Sequence, residues 1–151
     1  MPDGAESFLR REVWGPLGTD SYHWQPDVSG LPKAAAGASV RSRDMLKMGM
    51  LVLNGGQWQG NQLIPSEFVE RATSAIAQTP GESEYGYFWW ILDYDIAGRR
   101  WHSKQGRGAG GQLLFVFPEL ELIAVVTAHN KGMGNLVRRL PQRLIPAFAD
   151  E

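Results

Sequence analysis

Residues 104–112 read Lys104-Gln105-Gly106-Arg107-Gly108-Ala109-Gly110-Gly111-Gln112, with four glycines in six positions. Glycine is placed where a backbone takes a positive φ or where another group approaches closely, so core packing does not explain this density. A strand pattern leads into the stretch through Trp101-His102-Ser103 and leaves it through residues 113–117. We therefore predict a strand junction or sheet edge held open by glycines, with Lys104 at its mouth, as one wall of a binding cleft.

The carboxy-terminal half of the sequence predicts a sheet. Apolar and aromatic residues follow a strand pattern over 85–92, 99–103, 112–117 and 122–127. The links between these segments are short, and short links favour antiparallel neighbours. We expect about four antiparallel strands.

Helices are predicted before and after the strand segments along the chain. Helical spacing of apolar residues covers 5–14 and 43–54, begins again at 65–67, and returns from 135. In the third helix we expect Phe68, Val69, Ala72 and Ile76 on the buried side. Residues 21–38 have no sustained period and predict a long ordered loop. The fold class is therefore α+β, an antiparallel sheet flanked by helices.

Composition limits the function. The chain has 151 residues, enough for one domain with its own core. Its net charge of −1 gives no electrostatic reason to expect nucleic acid as a partner. No apolar run reaches the roughly 18–20 residues that span a bilayer, and the absence of cysteine excludes thiolate chemistry. Six tryptophans and 18 glycines instead resemble the rigid walls and permissive backbone of small-ligand clefts, although tryptophans also fill ordinary cores.

Three common kinds of site find no support. Gly106, Gly108 and Gly111 have the spacing of a dinucleotide-binding loop, but that loop needs a following helix and here a strand pattern follows. The three histidines are far apart and form no helical metal-binding pair, so we expect neither metal nor cofactor. No serine has a lysine three positions later, and no Gly-x-Ser-x-Gly motif occurs. The chain thus contains no convincing activated nucleophile.

Several segments, taken in order, resemble the carboxy-terminal half of the serine β-lactamase-like hydrolases, a family that includes class C β-lactamases, penicillin-binding-protein-like esterases and 6-aminohexanoate-dimer hydrolase relatives. The similarity extends over nearly the whole chain. It is carried by Trp14-Gly15-Pro16-Leu17-Gly18 (family "PLG"), by the helix entry at 38–45, by Leu53-Asn54-Gly55-Gly56-Gln57-Trp58-Gln59-Gly60 ("LNGG-W-G") with Leu63-Ile64-Pro65, by Tyr85-Gly86-Tyr87-Phe88-Trp89-Trp90 ("YGYGWW"), and by Gly110-Gly111-Gln112 with the strand pair that follows.

This resemblance implies a β-lactamase/transpeptidase-like fold and an acyl-enzyme mechanism at an ester, amide or β-lactam bond. The family uses a Ser-x-x-Lys nucleophile, a Tyr-x-Asn/Ser motif and a Lys-Thr-Gly-like strand. Only the strand can be placed, on Lys104-Gln105-Gly106, where Gln105 stands in place of threonine and turns the expectation away from strict β-lactam specificity. A cation beside an open strand edge can hold a substrate carboxylate. The alternative is a solvated lysine at a strand end.

We therefore interpret residues 1–151 as a single partial domain whose missing amino-terminal half would carry the nucleophile, so that no catalytic residue lies within this chain. The expected partner is a small-molecule or peptide substrate, and the alternative function is a non-catalytic binding or scaffold module. Trp89 and Trp90 are further candidate cleft walls, of which strand alternation places only one on the cleft side. The candidate substrate-binding residues are Lys104, Gln105, Gly106, Gly111, Gln112 and Trp24.

Overall fold

The computed structural model describes residues 4–34, 36–81, 83–129 and 133–149. These described residues form five α-helices: α1 Gly4–Leu9, α2 Ser42–Leu53, α3 Ser66–Ala72, α4 Met133–Arg139 and α5 Pro141–Phe148. Helix α1 continues into a π-helical turn, Arg10–Trp14, and a 3₁₀ turn spans Pro118–Leu120. The same four described segments contain ten strands: β1 Tyr22–Trp24, β2 Ala38–Val40, β3 Gln57–Trp58, β4 Asn61–Gln62, β5 Ala77–Gln78, β6 Glu84–Tyr85, β7 Trp90–Ile96, β8 Arg99–Gly108, β9 Gln112–Phe117 and β10 Leu122–Val126.

The central element is a six-stranded antiparallel sheet in the order β10-β9-β8-β7-β6-β5. Its four long strands, β7 to β10, are the predicted meander, and two-residue strands β5 and β6 extend it at one edge. The mixed helical and antiparallel architecture confirms the predicted α+β class. Two further two-stranded ladders, β1-β2 and β3-β4, lie outside this sheet.

Alternation along the strands gives the sheet two different faces. On the first, which we call the α4–α5 face, residues of the middle strands pack with Val137 of α4 and Ile145 of α5. The largest fully buried side chains there include Phe115 and Phe117, whose rings stack with centroids 6.0 Å apart. The other face, the α2 face, carries helix α2, with Gly49 close against β10. Strand β9 is thus buried on both sides, which explains its unbroken apolar run.

A second, smaller core forms around the amino-terminal helices. Trp14, Leu17 and Leu51 of α2 are its buried members, and Trp24 of β1 packs against them from the side. The predicted long loop at 21–38 is therefore closed at its ends, because β1 pairs with β2 in the register Tyr22↔Val40 to Trp24↔Ala38.

Two details of the prediction for α3 are wrong. Val69 and Ala72 are buried as expected, but Phe68 and Ile76 are each 53% exposed. The helix ends at Ala72, so Ile76 lies beyond it and does not share its face. Phe68 instead faces Tyr87, with 6.2 Å between the ring centroids.

The predicted strand at 85–92 is interrupted. After Tyr85 the backbone turns, and β7 begins only at Trp90. Buried Gly86 makes the turn possible, because its α-carbon passes so close to the end of α3 that an added Cβ would lie 2.3 Å from the Ala72 carbonyl oxygen. Phe88 stands in the left-handed region (φ +62°), where its side chain is 64% exposed.

None of the helices in the described segments is long and apolar enough to cross a bilayer.

Candidate functional site

Strand β8 changes its environment halfway along its length. Strand β7 pairs with it from Ile96↔Arg99 to Trp90↔Gln105 and goes no further. On its other side, β9 continues to pair as far as Gly108↔Gln112. In the part of the chain that the structure describes, residues 106–108 therefore have a strand on one side only, and two of the three are glycines. This is the open sheet edge that the glycine-rich stretch predicts.

Gly106 leaves the α2 face of this edge open. A Cβ on Gly106 would meet only the Cβ of Leu114, at 3.6 Å, which is an ordinary contact. Gly106 is therefore not required by local packing or by a positive φ, and its small size leaves free space beside the strand.

Lys104 lies one alternation step before Gly106, on the same face. Its side chain is half-buried, and this burial lowers the pKa of Lys104. The carboxylates of Glu70, on α3, and Glu119 act in the opposite direction and favour the protonated amine. Lys104 is thus a partly desolvated cation, and its backbone pairs with Ile91 and Val116.

The side chain of Gln105 points to the α4–α5 face and is fully buried. Its amide nitrogen donates to the hydroxyl of Tyr94 at 3.0 Å and to that of Ser103 at 2.6 Å. Both hydroxyls are fixed in turn, since Tyr94 donates to the Val137 carbonyl and Ser103 to that of Leu92. The side chain of Gln105 is therefore engaged within the fold, and its backbone pairs with Trp90 and Phe115.

Gly111 and Gln112 hold the end of the β8–β9 hairpin. Gly111 has φ +95°, and a Cβ there would lie 3.2 Å from that of Ala128. The Gln112 amide nitrogen donates to the Ala128 carbonyl at 2.7 Å. These two residues therefore fix the hairpin against the segment that follows β10.

Trp24 lies elsewhere. It belongs to the second core, and its indole nitrogen donates to the carbonyls of Lys33 at 2.8 Å and Ala36 at 3.1 Å. The structure thus brings together Lys104, Gln105, Gly106, Gly111 and Gln112 on one hairpin and leaves Trp24 in a separate cluster.

Arg107 is the residue of this hairpin that sequence reasoning missed. Its guanidinium stacks over the ring of Trp90, 4.6 Å from the centroid. Its Nε donates to Gln105 Oε1 at 2.9 Å, and its Nη2 to Ser83 Oγ at 3.4 Å. Burial lowers the pKa of Arg107. Strand alternation was the available signal, because Ser103, Gln105 and Arg107 must share one face.

Beside Arg107 lies a cavity of about 950 Å³. Residues 78–81, with Ser83 and Glu84, form one end, β7 runs along its length, and Val137, Arg138 and Gln142 close it from the helices. Trp90, the candidate cleft wall, lines it together with Arg107. In the described parts of the chain, no group of three His, Asp or Glu side chains is placed to hold a metal ion.

The central antiparallel sheet with helices on both faces is similar to the β-lactamase/transpeptidase fold. The chain belongs to the Beta-lactamase family, whose family model matches residues 2–146. No curated protein sequence gives a significant match.

Solved structures have the same fold. A candidate 6-aminohexanoate-dimer hydrolase from Bacillus anthracis is 23% identical, with a TM-score of 0.74 over 93% of this chain and 36% of its own. An octameric penicillin-binding protein homologue from Pyrococcus abyssi is 16% identical, with a TM-score of 0.62 over 92% of this chain and 37% of its own. A penicillin-binding protein from Bacillus halodurans, also 16% identical, gives 0.61 over 89% and 48%. The chain thus spans less than half the length of these proteins, and the resemblance to a β-lactamase-like hydrolase family is confirmed.

Proposed function

We propose that this chain is the carboxy-terminal portion of a serine hydrolase that cleaves an ester, amide or β-lactam bond through an acyl-enzyme. In this proposal, residues 1–151 form a single partial domain. The nucleophilic serine, its lysine and the tyrosine would come from an amino-terminal half of the same domain. Membership of the Beta-lactamase family and the 36–48% of each structural relative that the chain spans both support this proposal.

The observation that carries the proposal is the one-sided pairing of β8. Past Gln105, no strand of the described residues pairs with β8 on the side of β7, so its backbone is available to an extended substrate. Backbone N–H groups on such an edge can donate to the oxyanion of an acyl-transfer step. Gly106 leaves room for the acyl group beside the strand. Lys104, on the same face as Gly106, would attract an anionic part of the substrate.

The first experiment is to express the chain together with any in-frame upstream extension that encodes Ser-x-x-Lys and Tyr-x-Asn, and to treat both forms with a fluorophosphonate probe. We expect covalent labelling of the longer form only, because the probe reacts with an activated serine. Failure of a folded longer form to label would favour the non-catalytic binding module.

Two variants of the longer form test the strand. Gly106→Ala should lower the labelling rate at least tenfold while the melting temperature changes little, since the new Cβ has room in the fold but occupies the free space beside the strand. Lys104→Ala should raise KM for anionic substrates more than for neutral ones. Unchanged labelling in Gly106→Ala, or equal effects on both substrate types in Lys104→Ala, would remove that residue from the site.

A further inference from the structure

The turn at residues 86–89 lies where strand β8 loses its partner. It closes the hairpin of β6 and β7, whose ladder ends at the pair Tyr85↔Trp90. Trp90 is also the last residue of β7 that pairs with β8, opposite Gln105. The turn therefore begins at the level of the sheet where residues 106–108 pair with β9 alone among the described strands.

Two aromatic side chains of this turn and one of helix α3 are exposed. Phe68 and Phe88 are each more than half exposed, and Tyr87 is 43% exposed. The rings of Phe68 and Tyr87 face each other with 6.2 Å between their centroids. Neither hydrophobic core of the described residues includes any of the three, which we call the aromatic patch. An exposed group of large apolar side chains is typical of a binding surface.

Phe88 has an unfavourable backbone conformation in this turn. Its φ of +62° lies in the left-handed region, which a bulky residue rarely adopts and a glycine adopts freely. Contacts with α3 hold the turn in place, because the Tyr87 N–H donates to the Ala72 carbonyl at 2.9 Å and Gly86 leaves no room for a Cβ beside that carbonyl. The fold thus presents an exposed ring at a fixed position, and backbone strain of this kind clusters at ligand-binding sites.

The aromatic patch lies on the side of the sheet that carries Lys104 and Gly106. Helix α3 contributes Phe68, and the charge of Glu70 on the same helix favours the protonated form of Lys104, so α3 lies near this lysine. Gly106 follows one alternation step later and has free space in place of a side chain. The patch therefore lies beside the space that the proposed function assigns to the acyl group.

We propose that the aromatic patch binds an aromatic ring on the acyl side of the substrate, so that the enzyme favours arylalkanoyl esters or amides over acetyl ones. This inference rests on the proposed function and names the substrate class of the same site. Phe68 and Phe88 have no hydrogen-bonding groups, so a polar acyl group would lose its hydration there without compensation. A ring removes apolar surface of both partners from water and can pack at the usual centroid distance of about 4.5–7 Å.

Two esters with the same leaving group test this preference. The longer form that reacts with the fluorophosphonate probe is assayed with 4-nitrophenyl 3-phenylpropionate and 4-nitrophenyl acetate. Phe88→Gly should lower the ratio of the two kcat/KM values about tenfold, because the substrate ring loses its contact, and Phe88→Tyr should keep the ratio. Phe148→Gly is the matched control, since it removes a ring that is 56% exposed at the end of α5, and it should leave the ratio unchanged. An unchanged ratio in Phe88→Gly, or an equal fall in Phe148→Gly, would overturn the inference and leave the hydrolase proposal intact.

The melting temperature of the longer form separates substrate binding from a packing role of the patch. In our proposal the melting temperature of Phe88→Gly stays the same or rises, because glycine adopts the backbone conformation of Phe88 without strain. If the amino-terminal half covers the patch instead, Phe88→Gly should lower the melting temperature and leave the ratio of kcat/KM values unchanged. That outcome would refute the inference.

Binding to the chain of 151 residues tests the patch without turnover. The probes are N-methyl-3-phenylpropanamide and N-methylacetamide, followed by saturation-transfer NMR. We expect transfer to the phenyl protons with the unmodified chain and with Phe148→Gly, a loss of at least about half of it with Phe88→Gly, and none to the acetamide. Absence of transfer from the unmodified chain would overturn the inference. Transfer to the phenyl ring without fluorophosphonate labelling of the longer form would instead refute the hydrolase and the acyl assignment, and leave a surface that binds aromatic rings.

Discussion

Replacing Gly86 tests how the chain positions the start of β7 at Trp90. The Cβ of an alanine at this position would lie 2.3 Å from the Ala72 carbonyl oxygen and 2.7 Å from that of Ser74. Ordinary contact begins near 3.4 Å, so the backbone would have to move by about 1 Å. The movement would break the hydrogen bond from the Tyr87 N–H to the Ala72 carbonyl, which is 2.9 Å long, and disturb that from Gly86 to Trp89.

The expected cost of Gly86→Ala is about 3 kcal/mol of unfolding free energy. A buried backbone hydrogen bond left unmade costs about 1–3 kcal/mol, and an overpacked site typically about 1–3 kcal/mol. In a domain of this size, 3 kcal/mol corresponds to roughly 6–12 °C in melting temperature. Urea unfolding followed by tryptophan fluorescence measures the free energy directly.

Gly106→Ala is the matched control for Gly86→Ala, because it makes the same chemical change at a glycine that has room for a Cβ. Its Cβ has an ordinary contact at 3.6 Å, so its unfolding free energy should stay within about 0.5 kcal/mol of the unmodified chain or rise slightly. An unfolding free energy of Gly86→Ala within about 1 kcal/mol of that of the unmodified chain, with the same denaturant slope, would show that the close approach to α3 does not hold β7 in place.

Two further substitutions test the packing on either face of the sheet. Tyr94→Phe removes a buried hydroxyl that donates to the Val137 carbonyl at 2.8 Å, and it should lower the unfolding free energy by about 1–2 kcal/mol. Burial raises the pKa of Tyr94, so above about pH 10 only the unfolded tyrosine ionises and the unmodified chain should lose stability relative to this variant. Parallel urea titrations that show no such pH dependence would contradict the assignment. Gly49→Ala should lower the unfolding free energy by about 1–3 kcal/mol, because its Cβ would lie 2.6 Å from Ile123 Cγ2. Its control is Gly134→Ala in α4, where the Cβ has open space and should stabilise the chain by up to about 1 kcal/mol. Equal shifts in melting temperature for the two variants would show that α2 does not pack closely against β10.

Local sequence signals predicted the elements whose start and end are set by residues within or next to the element. Helical spacing predicts α2 over 43–54, and the helix spans Ser42–Leu53, followed by Gly55 and Gly56 at positive φ. The β9 strand was predicted with its observed bounds, 112–117, because its apolar run is continuous. In both cases the deciding interactions lie within a few residues of one another.

The length of β8 was not predictable in this way. The pattern ends at Ser103, yet the strand continues to Gly108. Glycine and arginine have no preference for strands, and the extension exists because β9 supplies a hydrogen-bonding partner along the whole hairpin. The exposure of Phe68 was not predictable for the same reason, because it depends on which residues pack against α3 and not on helical spacing alone.

The sequence by itself determined the family, the α+β class and the glycine-rich hairpin, since each depends on residue order and local backbone preference. The tertiary structure alone decided which face each hairpin side chain occupies. Alternation shows that Gln105 and Arg107 lie together and that Lys104 lies opposite, but not which helices cover either side. Packing of α4 and α5 on one face and α2 on the other buries Gln105, places Lys104 near Glu70 and turns Arg107 towards Trp90 and Ser83.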